Sequence, residues 1–358
     1  MNKLKLIILI AIVTATLTSI TFASGGDRVG TAGDMQLLIP VGVRGIAMGQ
    51  TTITDATGID AVFWNPANLS RSDGTSVTFS HMDYIADIGV EYGAIGFSAG
   101  KLGSFALSIK SLSIGSIPIT TVNNPDGTGQ TFKPQFVTTG LTYSILLSDR
   151  ISIGVTGNIN YEQLGEVSQS NITFNAGISY SNLANIDGLN LGIVIKNLGF
   201  KSSYAGTGLT VASNGSGSVY SYDPTGQTTT LLRSGQEFYQ LQAASEDPPT
   251  TLELGLGYHY AIDKDNAVQI NGTYQNSNYF YDEYRIGLEY GFENMIFLRG
   301  GYIFTPELTD ANSKESTLTA GFGLKIGLSS GFNILVDYSY QKRILFSDTH
   351  TFGVTLAF

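Results

Sequence analysis

The chain has 358 residues, of which 13% are charged and 42% hydrophobic, with 43 glycines, 19 tyrosines, 19 phenylalanines and no cysteine. A soluble domain carries about 25% charged residues, so this surface is too poor in charge to face water on every side, and its many aromatic and β-branched residues exclude disorder. The net charge of −10, with no Lys/Arg cluster, excludes a nucleic-acid partner, and the missing cysteines exclude disulfides, thiolate metal sites and a cysteine-anchored lipoprotein.

Residues 1–23 read as an export signal. Lys3 and Lys5 precede the apolar run Leu6 to Val13, and Thr21-Phe22-Ala23 offers small residues at both cleavage-determining positions. The alternative is a membrane anchor, but Thr14, Thr16, Thr18 and Ser19 interrupt the stretch and it is short for permanent spanning. Cleavage removes two lysines and no acid, taking the formal charge from −10 to −12. Beyond the first 20 residues no run of 18 apolar residues occurs, which excludes a helical membrane protein.

Residues 24–74 do not alternate in polarity. Small residues surround Arg44, Gly49 closes an Ala-Met-Gly run, and Asp55 follows. The only tryptophan, Trp64, stands before Asn65-Pro66-Ala67, an Asn-Pro turn or helix-start signal. About 50 small and apolar residues suit a plug inside a barrel; the alternative is a flexible periplasmic tail.

From residue 75 the period is two. In 316–328, Leu318, Ala320, Phe322, Leu324 and Ile326 alternate with Thr317, Thr319, Gly321, Gly323 and Lys325. Fourteen such segments fall near 75–84, 89–100, 103–113, 133–147, 151–163, 171–181, 189–200, 250–262, 266–277, 283–293, 295–304, 316–328, 331–342 and 348–358. Globular strands run about 5–6 residues, whereas a tilted membrane strand needs about 9–11, and most of these are longer than the globular norm. Tight turns at Lys101-Leu102, Ser148-Asp149-Arg150, Asp263-Lys264-Asp265, Glu293-Asn294 and Ser329-Ser330, with a slightly longer one at 182–188, alternate with longer links. Those longer links lie near 85–88, 114–132, 164–170, 201–249, 278–282, 305–315 and 343–347. That is the loop pattern of outer-membrane barrels. The expectation is an all-β, transmembrane antiparallel barrel of about 14 strands at 75–358, with a plug at 24–74. An even strand count returns both chain ends to the periplasmic side. The alternative is a secreted β-sandwich or β-helix; a sandwich would carry charged outer faces, whereas the polar phase here is mostly Gly, Ser, Thr and Asn with isolated charges.

Two stretches carry a resemblance. The last strand alternates to a terminal Phe358 and resembles the signature read by the outer-membrane barrel assembly machinery, which implies that machinery and outer-membrane lipid as partners and the bacterial outer membrane as address. The run from Ile39 to Ser70, with its glycine-flanked Arg44, Ala-Met-Gly and Trp64-Asn65-Pro66-Ala67, resembles the N-terminal signature of PorV/PorQ-family outer-membrane proteins. Those are similar to the fourteen-stranded FadL class, whose Asn-Pro-Ala motif lies in an N-terminal hatch. Asn68 stands where the pattern has Gly. The resemblance implies a type IX secretion component whose external loops bind translocon partners or cargo C-terminal domains; the alternative is a FadL-like transporter of hydrophobic small molecules.

No catalytic or metal constellation emerges, and neither an enzymatic activity nor a cofactor is expected. Gly96-Phe97-Ser98-Ala99-Gly100 fits a nucleophile elbow in letters but ends a period-two strand rather than opening a helix. His81, His259 and His350 share no ligand spacing, and the Asp263 turn lacks the Gly and Glu of a calcium loop. Lys196, Glu253, Arg285, Glu289, Arg299, Lys325 and Asp337 sit on the polar phase of their strands and are assigned to the lumen, either as a selective pathway or as anchors of the plug. Arg44 is expected to meet an inward acid, Glu253 or Glu289. Gly115 and Pro118 after the third strand mark either a disturbed strand with a lateral exit, as the FadL resemblance implies, or a loop start. The 201–249 connection, with Tyr204, Tyr220, Tyr222, Phe238 and Tyr239, is expected outside the cell, as a partner-binding loop or as disordered polar chain.

Overall fold

In the computed structural model the described residues are 28–222, 228–306, 317–328 and 331–358, without the side chains of 212–237. The expected export signal, the Ser329-Ser330 turn and most of the 305–315 loop lie outside them.

Fourteen strands form one ring: β1 (Thr75–Asp83), β2 (Gly89–Ser98), β3 (Ser104–Ser113), β4 (Gln135–Leu146), β5 (Ile151–Leu164), β6 (Val167–Tyr180), β7 (Leu189–Gly199), β8 (Thr251–Ala261), β9 (Asn266–Ser277), β10 (Glu283–Phe292), β11 (Ile296–Phe304), β12 (Thr317–Gly327), β13 (Asn333–Gln341) and β14 (Thr349–Ala357). Each strand runs antiparallel to its neighbours, and β1 pairs with β14 from Ser76↔Ala357 to Asp83↔His350, so the sheet closes without an edge. Phe358 continues that seam: its backbone N–H and carbonyl bond Thr75 at 2.9 and 2.7 Å, and its ring stacks on Phe332.

The alternation explains the closure. Outward positions such as Phe79, Ile95, Leu107, Leu141, Ile286 and Phe322 are exposed side chains with no protein to cover them, an apolar band suited to lipid. Inward positions such as Thr142, Asn160, Thr173, Asn271 and Ser339 are buried and small or polar. Aromatic clusters accompany it on the outer surface, Phe97–Phe105–Tyr143 near the 99–103 turn and Phe322–Tyr338–Phe352.

Three readings are changed or decided by the structure. The link at 164–170 is a two-residue turn: Gly165 takes φ +60°, so β5 and β6 pair up to Leu164↔Val167, and the polar run after it is strand. β3 pairs without interruption with β2 and β4, and Pro118 lies beyond it in a short pair, Ile117-Pro118 with Thr131-Phe132. Those residues mark a loop start, not a disturbed strand. The break in the wall is between β6 and β7, where Lys196 and Asn197 oppose the single residue Asn175. Asn197 adopts φ +58° and donates its N–H to Asn175 Oδ1 at 2.8 Å, a β-bulge sealed by a side chain. Finally, 201–249 is not irregular: Thr210–Tyr222 pairs with Thr228–Gln240 in a hairpin from Thr210↔Gln240 to Tyr222↔Thr228. Tyr204 turns inward, Phe238 and Tyr239 are exposed, and the side chains of Tyr220 and Tyr222 lie outside the described residues.

Inside the ring, residues 35–71 fold as a chain of short helical turns. They include α1 (Val43–Ala47), α2 (Ala61–Trp64) and 3-10 turns at Met35–Leu38, Thr52–Thr54, Gly58–Asp60 and Pro66–Arg71. Successive turns meet different arcs of wall: α1 packs on β11 to β14, Thr52–Thr54 on β7 to β9, Gly58–Asp60 on β1 and β2, and Pro66–Arg71 on β3 to β6. Fully buried Trp64, Ile46, Met48 and Ile53 fill the centre. Two glycine contacts make this fit possible. A Cβ at Gly45 would overlap the Trp64 ring, and one at Gly154 would overlap the backbone of Pro66. The segment runs the length of the lumen. Gly74 lies beside Phe358, at the end where the barrel begins and finishes, whereas Arg28 bonds Tyr279 and approaches Asp247 at the opposite end. The expectation that both chain ends share one side therefore holds for the barrel but not for residue 28.

Candidate functional site in the lumen

The central feature is a buried charge network that joins the inner segment to the wall. Arg44, on α1, donates from Nε and Nη2 to the two oxygens of Glu289 at 2.9 and 2.8 Å and meets Asp55 at 2.5 Å. Across the β10–β11 ladder Glu289 stands opposite Arg299, which donates to it at 2.6 Å and to Asp337 at 2.5 Å. Asp55 is also held by Asn271 Nδ2 at 2.7 Å. Asp60 lies beside this network; burial first, then the negative charge of Asp337, raises its carboxyl to about 6, against the opposing pull of Arg44 and Arg299.

Lys196 bonds Glu253 at 2.9 Å, so Glu253 is not available to Arg44. The Lys196 ammonium also sits 4.9 Å from the Phe63 ring and 5.1 Å from that of Trp64, which meet edge to face, a cation–π arrangement. Arg285 takes Glu283 and Gln275 as partners at 2.5 and 2.7 Å. Lys325 is half-buried at the far end of β12 and makes no ion pair among the described residues.

Asn65 acts as an N-cap. Its Oδ1 accepts from Ala67 N–H at 3.1 Å, Pro66 occupies the first turn, and its Nδ2 donates to the Ile53 carbonyl at 2.8 Å. Asn68, where the resembled pattern has Gly, has no positive φ and donates to the same carbonyl at 3.3 Å. The turn is therefore made without a glycine.

Two inward groups were not singled out from the sequence. Lys110, on β3, is buried with its Nζ donating to the carbonyls of Gln36 and Ile39 at 2.8 and 3.2 Å. Glu162, on β5, is buried and accepts from Gln169 and Tyr204. Both sit on the polar phase of their strands, and that phase is the signal that finds them.

These side chains border three voids. A cavity of about 630 Å³ lies at the end of the lumen nearest the 201–249 connection, with Leu37, Ile39, Phe63, Trp64, Leu112 and Phe136 among its apolar walls and Lys196, Glu253 and Arg285 among its polar ones. A void of about 40 Å³, lined in part by Val62, Lys110, Thr138 and Asn175, lies deeper. One of about 310 Å³ opens at the other end beside Gln269, Glu289 and Phe297. Among the described residues no three His, Asp or Glu are grouped to hold a metal.

No protein-family model matches the sequence, and no curated protein does. The PorV/PorQ resemblance therefore rests on its short N-terminal run alone. Solved structures do match. The CymD monoaromatic hydrocarbon channel shares 12% identity over 90% of this chain and 98% of its own, with a TM-score of 0.55. The Pseudomonas putida toluene transporter TodX shares 14% identity over 88% of this chain and 96% of its own, with a TM-score of 0.51. The shared fold is the FadL-like fourteen-stranded barrel. It is a fold of bacterial outer-membrane channels, and the match spans nearly the full length of both proteins.

Proposed function

We propose that this protein is an outer-membrane channel that takes up hydrophobic small molecules from outside the cell and passes them along the lumen past the segment at 28–74. The observation that carries this reading is the 630 Å³ cavity. It is large enough for a drug-sized apolar molecule, has aliphatic and aromatic walls, and opens at the end that the loop pattern assigns to the exterior. The two neighbours named above are a monoaromatic hydrocarbon channel and a toluene transporter, which supports the same class. The secretion role implied by the PorV/PorQ resemblance finds no corresponding support in the cavity or in those neighbours.

Trp64 is the only tryptophan and borders the cavity, so its fluorescence reports occupancy directly. Titrating purified protein with toluene should give a saturable change. Leu112→Gln, which puts an amide of similar size into the apolar wall, should weaken it. A response that rises linearly with toluene, unchanged by the substitution, would remove the binding site from the account.

A further inference from the structure

The charges around the large cavity are unevenly matched. Lys196–Glu253 and Arg285–Glu283 are complete pairs. The carboxylates left over on the lining are Asp34, Glu162 and Glu246, and the remaining cation there is Arg343, whose guanidinium lies over the Tyr84 ring. Asp34 and Glu162 are 4% and 2% exposed and lie against each other. Neither has an ion pair with a basic side chain among the described residues. Asn171 donates to Asp34, and Gln169 and Tyr204 donate to one oxygen of Glu162. The other oxygen, Oε1, is buried and receives no donor.

A pair of buried carboxylates cannot both stay ionised without a cation or a proton between them. Beside this pair stands an aromatic wall, since Phe136 is the direct cross-strand neighbour of Glu162 and faces the same cavity. Tyr204 completes the corner.

We infer that the outer cavity selects apolar molecules carrying a protonated amine, with Asp34 and Glu162 as the counter-charge and Phe136 and Tyr204 as the flanking aromatic faces. This rests on the hydrophobic-channel reading above and narrows its substrate class. In the empty protein a proton fills the same role. Burial, then the charge of Glu162, raises the Asp34 carboxyl to about 7; the titratable groups beside it are Glu162 on β5 and Tyr204, with Glu246 against the neighbouring Gly33. Above pH 7 that proton is released and the carboxylates are open to an ammonium; below it proton and ammonium compete for them. The aromatic faces add cation–π attraction, and the carboxylates add charge-assisted hydrogen bonds.

The test is calorimetric titration of the full protein with benzylamine, benzyl alcohol, toluene and benzoate, which share one ring and differ in the group attached. At pH 8 benzylamine should bind about tenfold or more tightly than its neutral isostere benzyl alcohol, with benzoate weakest, and that preference should shrink at pH 5. Glu162→Gln keeps an oxygen for Gln169 and Tyr204, so it should remove the amine preference while toluene binding persists. Asp34→Asn provides the same readout should Glu162→Gln fail to assemble. If toluene and benzyl alcohol bind and benzylamine is not preferred, or if both variants keep the preference, this inference is wrong and the channel reading stands. If none of the four binds, both fall.

Discussion

Arg44→Ala tests the inner segment at its most heavily loaded contact. The guanidinium makes three bonds to two acids, at 2.5–2.9 Å, on a helix of only five residues. Removing it leaves Glu289 with Arg299 alone and Asp55 with the Asn271 amide, in a site where little water can replace the lost charge. Breaking one partner of a buried ion pair costs about 3–5 kcal/mol, which is about a hundredfold to several thousandfold in an equilibrium. Docking of the inner segment should weaken by that order. The β1–β14 seam and the wall ladders, which do not involve Arg44, should remain. Single-channel conductance in planar bilayers should show frequent openings in Arg44→Ala that are rare in the parent. Arg44→Lys should recover part of the effect, because a lysine supplies the charge but not the fork. If Arg44→Ala conducts like the parent, and deleting 30–70 does too, the inner segment does not occlude the lumen and the network is not what holds it.

Three further outcomes follow from the same structure. Asn65→Ala removes an N-cap and a bond to the Ile53 carbonyl, and should lower stability by about 1–2 kcal/mol, read as an earlier loss of the heat-modifiable band on gels. Asp34, with its carboxyl raised by burial and by the charge of Glu162 to about 7, holds its proton more tightly folded than unfolded. Stability should therefore fall as pH rises from about 4 to 7, and Asp34→Asn should flatten that slope in thermal melts. Excising 210–240 should leave barrel assembly and apolar-ligand binding intact, since Leu241 N–H already bonds the Leu209 carbonyl at 2.8 Å across the base of the hairpin; loss of toluene binding in that deletion would place the site in the hairpin instead.

Period-two polarity made the barrel legible because each strand faces lipid on one side and a packed polar interior on the other. Lys196, Glu289 and Arg299 could be assigned inward from phase alone. Their partners could not, because pairing depends on where the inner segment crosses the wall: Arg44 had two inward acids to choose from, and the Lys196–Glu253 pair decided between them. Gly165 hid a tight turn, since a Gly-Glu pair among polar residues reads as loop until its positive φ is seen. The β6–β7 bulge had no sequence mark beyond an asparagine, which tolerates the left-handed region without announcing it. Asp34 and Glu162 were missed for a different reason. They lie 128 residues apart in the numbering, and they meet only because the inner segment reaches the far mouth of the barrel.

The most direct test is uptake of radiolabelled toluene by intact cells that carry or lack the protein in an otherwise unchanged outer membrane. The account predicts faster uptake with the parent protein, and a return to the background rate with Leu112→Gln despite equal amounts of assembled barrel. Equal uptake with and without the protein would contradict it.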